Sequence, residues 1–112
     1  MASDFRLLDA ARSVVDEVND IVSHSRRRLL DERQLSEAAG SITANIREAY
    51  GRRAGAERNQ FFRFARGSAE ETDEHLRANF AAKRVDPKRY WRIHNRLIVI
   101  RKMLTGLLNQ RR

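Results

Sequence analysis

Behind an Asp86-Pro87 pair, Tyr90, Ile93, Leu97, Ile100, Leu104 and Leu107 recur in strict three-and-four alternation. That spacing stacks one apolar side chain per turn on one side of an α-helix, and no strand produces it. Asp86 supplies an N-cap and Pro87 the fixed φ of a first helical position, so a helix over about 87–109 has a clearly marked start. Three further segments carry the same period. Leu8, Ala11, Val15, Val18 and Val22 predict a helix over about 4–24 with Ser3 or Asp4 as N-cap, and Leu7, Val14 and Ile21 widen its apolar face. Ser25 and Arg26, Arg27 and Arg28 suit its end, where cations complement the helix dipole. Asp31 is placed to cap a second helix over about 32–52, with Ile42, Ile46 and Ala49 on its core side and Gly51 as terminator. Gly55 marks the next break, and the third helix is expected over about 56–83.

Four long amphipathic segments joined by short breaks predict an all-α fold: an up-down-up-down four-helix bundle that fills residues 1–112 as one domain. A chain of this length buries about two-thirds of its unfolded surface, enough for an autonomous core. The first and fourth helices are more apolar than a lone bundle needs. Trp91 and Ile98 lie on one extra face, Val99 and Met103 on another, which predicts self-association.

Within the third helix Phe61, Ala65, Ser68 and Thr72 share a face, and Gly67 beside them suggests close approach of another backbone. On the second helix Ser41, Asn45, Glu48 and Arg52 form a polar ridge at i, i+4, i+7 and i+11. The ridge reads either as a solvated flank or as a hydrogen-bonded seam between helices or subunits, with Glu71 as partner.

The blocks SITANIREAYGR and ERNQFFRFARGSAEET also carry a resemblance. Ser41, Ile42, Ala44, Asn45, Ile46, Glu48, Tyr50, Gly51 and Arg52, then Glu57, Phe61, Phe62, Ala65, Gly67, Ser68 and Glu71, are similar to the pattern of bacterial four-helix-bundle proteins encoded in intervening sequences of 23S ribosomal RNA genes. A weaker echo follows at Ile100, Lys102, Met103, Leu104 and Leu107. The chain departs from the pattern at Thr43 for Pro, Ala49 for Gly, and Arg58 where an aromatic is common. The resemblance implies a ring-shaped homo-oligomer, a pentamer, raises the seam to equal standing with the solvated flank, and points to RNA. It extends to an accessory protein of diversity-generating retroelements, another pentameric bundle associated with nucleic acid and a reverse transcriptase. It implies no settled activity.

Charge bears on function more directly. The net charge is +8, yet residues 1–82 hold 13 Lys/Arg against 14 Asp/Glu, while residues 83–112 hold 10 against Asp86 alone. A segment so one-sided attracts polyanions. Lys83, Arg84, Lys88, Arg89, Arg92, Arg96, Arg101 and Lys102 are the candidate nucleic-acid contacts, with Arg111 and Arg112 extending the charge. Arg89, Arg92 and Arg96 form an i, i+3, i+7 row and are each expected to meet phosphate. The alternative is a scaffold recruiting an acidic protein partner.

Catalysis lacks support. Ser68 has no local base, no Gly-rich phosphate loop follows a strand, and a di-iron bundle needs Glu-x-x-His pairs that are absent. Glu71 and His75 are spaced i, i+4, while His94 lies apart among basic residues and His24 at a helix end. No enzyme, metal site or cofactor is therefore expected. Cys is absent, which removes disulfides and thiolate ligands and fits a cytoplasmic protein; no segment reaches membrane-spanning length.

Overall fold

A computed structural model describes residues 2–110, with side chains from Phe5 onward. It contains α1 (Ala2–His24), α2 (Glu32–Tyr50), α3 (Ala56–Ala81) and α4 (Pro87–Leu108), and no strand among the described residues. Successive helices pack side by side, and α4 closes against α1, so the order around the bundle is the order in the chain. The α2–α3 contact is the most extensive and α1–α4 the least. The body is a rod of 48 × 21 × 19 Å, and α3, its longest helix, spans about 39 Å of that length at about 1.5 Å per residue.

The core is built from Leu7, Ala11, Val14, Val18 and Ile21 of α1, Leu35, Ile42 and Ile46 of α2, Phe62, Ala65, Ala69 and Leu76 of α3, and Ile93, Leu97, Ile100 and Leu104 of α4. On α4 the stripe is the one the sequence marks, and Asp86 caps the helix, its carboxylate accepting from the amides of Lys88 and Arg89.

Two stripes fall elsewhere. On α1 the buried row runs through Leu7, Val14 and Ile21, while Leu8, Val15 and Val22 stand half-buried at its edge. With an apolar face this wide, packing against both α2 and α4 selects the row, and periodicity alone does not. On α3 the core side chain is Phe62; Phe61 lies on the flank beneath the Arg52 guanidinium, 5.0 Å from its ring centre. Ser68 likewise gives way to Ala69.

The caps also differ from expectation. Helix α1 is already continuous from Ala2, and the side chains of Ser3 and Asp4 lie outside the described residues. Asp31 adopts a left-handed conformation (φ 48°), so its side chain does not cap α2. Helix α2 ends at Tyr50, short of Arg52. Helix α3 stops at Ala81 because Lys83 turns left-handed (φ 59°) and the Arg84 amide returns to the Asn79 carbonyl at 2.9 Å, a Schellman-type closure that usually employs Gly. Gly67 is exposed, with open space where a Cβ would stand, so no other backbone of the described residues approaches it.

Candidate nucleic-acid interface

An up-down bundle brings its first and third connections to the same end. Here both are basic. The α1–α2 connection carries Arg26, Arg27 and Arg28, and the α3–α4 connection carries Lys83 and Arg84, with Lys88 in the first turn of α4. Two contacts lock them together. Arg84 Nη1 donates to the Arg28 carbonyl at 2.6 Å. Asn79, fully buried, accepts from the Leu30 amide at 2.6 Å and donates to the carbonyls of Leu30 and His75 at 3.0 and 2.9 Å.

The acids at this pole are mostly occupied. Glu32 pairs with Arg28 at 3.1 Å, Asp86 caps α4, and Asp20 holds Arg89 at 2.6 Å with His24 at 3.0 Å. The hydrogen bond from Arg89 holds the Asp20 carboxyl below its usual value. Arg26, Arg27, Lys83 and Lys88 are exposed and have no acidic partner among the described residues.

Farther along, the sequence-predicted basic residues do not share one face. Arg89, Arg92 and Arg96 lie on the α1 side of α4's core stripe. Arg92 and Arg96 sit 3.6 and 3.5 Å from the half-buried Glu17 carboxylate, so all three face an acid of α1. Arg101 lies on the other side of the stripe, toward α3, with Lys102 beside it. They line an open groove of about 520 Å³ with Arg66, Glu70, Ile98 and Thr105, and Arg66 Nη1 donates to the Thr105 hydroxyl at 3.2 Å. Arg111 and Arg112 lie outside the described residues.

The polar ridge makes local contacts within the bundle. Asn45 donates to the Ser41 carbonyl at 2.9 Å. Arg52 bridges Glu48 at 3.0 Å and Glu57 of α3 at 2.9 Å; those bonds, Glu48's first, keep its guanidinium more firmly protonated. Glu71 of α3 lies 3.8 Å from His75.

One cluster escaped the sequence reading. His94 does not stand apart: its Nδ1 meets Asp73 Oδ1 at 2.8 Å, and Arg77 donates to Asp73 Oδ2 at 3.0 Å. The Asp73 side chain is only 5% exposed. A hydrogen bond with Tyr90, then the Asp73 charge, raises the Arg77 pKa. Tyr90 stacks on Phe80 at 4.1 Å and on His94 at 5.5 Å, and the exposed Trp91 meets all three rings edge-on. An acid in the core register of α3 was the available signal, but its partner lies across the hairpin on another helix. Among the described residues no group of three or more His, Asp or Glu is placed to hold a metal ion, and no helix is long and apolar enough to cross a membrane.

The model of a family described as 23S rRNA-intervening sequence protein matches residues 3–106. Among solved structures, the chain is similar to a protein of unknown function from the S23 ribosomal protein family of Bacteroides thetaiotaomicron. The TM-score is 0.88 and the identity 21%, covering 96% of this chain and 99% of that one, a likeness that establishes the fold. No curated protein matches the chain.

Proposed function

This chain belongs to the 23S rRNA-intervening sequence protein family, and we propose that it is a non-enzymatic, cytoplasmic RNA-binding protein whose main contact surface is the cationic pole of the bundle. The observation that carries this reading is the bond from Arg84 to the Arg28 carbonyl, which holds two basic connections side by side. Exposed cations without acidic partners favour phosphate, and Arg favours it most because its planar fork matches two phosphate oxygens. The preference for RNA over DNA rests on the family's tie to ribosomal RNA genes. In this reading the bundle works as a ring-shaped homo-oligomer, five subunits by resemblance. The exposed side chains of Phe5, Phe64 and Val99 supply apolar surface for such contacts. A ring repeats the pole on every subunit and multiplies weak contacts through avidity.

The test compares a structured RNA, duplex DNA and single strands by fluorescence anisotropy across a salt series. Replacing Arg26, Arg27, Lys83 and Lys88 together with Gln is expected to weaken binding to unrelated sequences and to flatten the log-log salt slope by about 3–4 on a duplex, near 0.9 per phosphate contact. Unchanged binding in the folded quadruple variant excludes the pole. Failure of the parent to bind any nucleic acid, with an acidic protein captured instead, establishes the scaffold alternative. Sedimentation at micromolar protein is expected to show one closed species larger than a dimer.

A further inference from the structure

We infer that the α3–α4 side of the bundle is a track for a single-stranded nucleic-acid segment, with Trp91 as the platform for one base and Arg66, Arg101 and Lys102 as the contacts for its phosphates. The inference rests on the nucleic-acid reading above and deepens it by naming the form of the strand.

Three observations meet on this side. The first is the state of Trp91, which is 50% exposed although its ring is fixed. Phe80, Tyr90 and His94 each contact it edge-to-face, at 5.9, 4.9 and 5.5 Å between ring centres. Behind them the His94–Asp73 contact ties α4 to α3, and Arg77 of α3 donates to the other Asp73 oxygen. An exposed aromatic ring held in place by its neighbours loses little freedom when a base stacks on it.

The second observation is the spacing along α4. Trp91, Ile98 and Thr105 follow one another at seven-residue intervals, so they form a strip on one side of the helix about 10 Å apart per step. The groove begins at Ile98, and its lining holds three cations against one acid, Glu70. Neither Arg101 nor Lys102 has an acidic partner among the described residues, and the bond recorded for Arg66 is to a neutral hydroxyl. An aromatic platform beside a cationic groove is the combination that binds single strands with little sequence preference.

The third observation is continuity with the pole. Phe80, which contacts Trp91, also lines a cavity of about 520 Å³ with Lys83, Arg84 and Pro87 at the end of the bundle. Lys88 stands one turn before Trp91. A strand leaving a duplex end held at the pole would therefore pass Lys88, Trp91 and the groove in that order.

Trp91 is the protein's one tryptophan, so its emission reports this site alone. The full chain is titrated with a 12-residue oligouridylate, its DNA counterpart and a blunt RNA duplex, following both tryptophan emission and anisotropy. Single strands are expected to quench Trp91 and the duplex to leave it unchanged. Trp91→Ala is expected to weaken single-strand binding by roughly ten- to a hundredfold while sparing the duplex, and Trp91→Phe to restore most of it. Arg101→Gln with Lys102→Gln is expected to flatten the single-strand salt slope by about 1.4, near 0.7 per contact. If single strands bind but neither quench Trp91 nor respond to Trp91→Phe and Trp91→Ala, the track is excluded and the pole remains. If emission in the free protein is already blue-shifted and closed to iodide, another subunit covers the ring and the track is excluded on that ground. Absence of binding to every probe removes the pole and the track together. Quenching by the RNA and DNA strands alike supports the track and removes only the preference for RNA.

Discussion

On its α1 side, α4 turns Arg89, Arg92 and Arg96 onto Asp20 and Glu17, whereas on its α3 side Arg101 and Lys102 face an open groove whose lining contains one acid, Glu70. Both flanks are basic, and the sequence alone favours the Arg89, Arg92 and Arg96 row, the flank that the fold turns onto acids. What separates them is the neighbouring helix. Helix α1 presents acids at Glu17 and Asp20, three residues apart and so on one face, to the first half of α4, while farther along α4 the groove receives Arg66 from α3. Charge available to a polyanion is thus decided by packing partners more than by residue count. The same contrast holds in the interior. Toward α3 a carboxylate is nearly buried and hydrogen-bonded at both oxygens; toward α1 the Glu17 carboxylate meets its arginines only at 3.5 and 3.6 Å.

The largest expected effect tests that interior contrast. Asp73→Ala removes the acceptor of both His94 and Arg77 and is expected to lower the urea-derived stability by about 2–3 kcal/mol. Glu17→Ala leaves two guanidinium groups that water reaches, so about 1 kcal/mol or less is expected. The reverse ranking would mean that α1, not α3, anchors α4.

Much of this architecture was legible from the chain. The α4 stripe and its Asp86-Pro87 start were read correctly because capping chemistry and apolar period agree there. Element number, order and breaks followed for the same reason. The failures share a cause as well. Leu7 against Leu8 and Phe62 against Phe61 are choices between adjacent rows of a broad apolar face, settled only by the helices on either side. Asp31 fails as a cap because its backbone turns left-handed. At the candidate interface the sequence merged basic residues that the fold puts in separate places. Lys83, Arg84 and Lys88 belong to the pole, Arg89, Arg92 and Arg96 to the α1 seam, and Arg101 and Lys102 to the α3 groove. In the sequence Arg26 and Arg27 read as helix-ending cations, and only tertiary structure brings their connection against Arg84.

The next effect concerns ligand binding. With Arg89, Arg92 and Arg96 engaged by α1, replacing all three with Gln is expected to flatten the duplex salt slope by less than about 1, against about 3–4 for the pole variant. A loss of 2–3 would mean that phosphate displaces Asp20 and Glu17, and the two flanks would then serve one surface. Smaller still are the effects at the polar ridge. The recorded Asn45 bond is to its own helix, and Glu71 lies 3.8 Å from His75. Asn45→Ala and Glu71→Ala are therefore expected to change the stability of the bundle by under about 0.5 kcal/mol, as for other contacts within one helix surface. If the ridge is an inter-subunit seam, the same variants reduce the oligomer's size in sedimentation while helical content holds.

The finest measurement is a carboxylate titration by NMR. The Arg89 hydrogen bond, assisted by the charges of Arg89 and His24, holds the Asp20 pKa below its ordinary value of 3.8 in spite of partial desolvation. A carboxyl whose pKa is lower in the folded than the unfolded protein binds fewer protons when folded. Its contribution is therefore complete above the unfolded value and is lost as the pH falls through the folded one. In the parent protein the Asp20 midpoint is expected below 3.8, and in Arg89→Gln it is expected to move upward because the first of its causes is gone. A midpoint indifferent to Arg89→Gln would show that the pair does not persist in solution. Arg89 would then join Lys83 and Lys88 as charge open to phosphate, and the boundary between the sealed flank and the cationic pole would move one turn along α4.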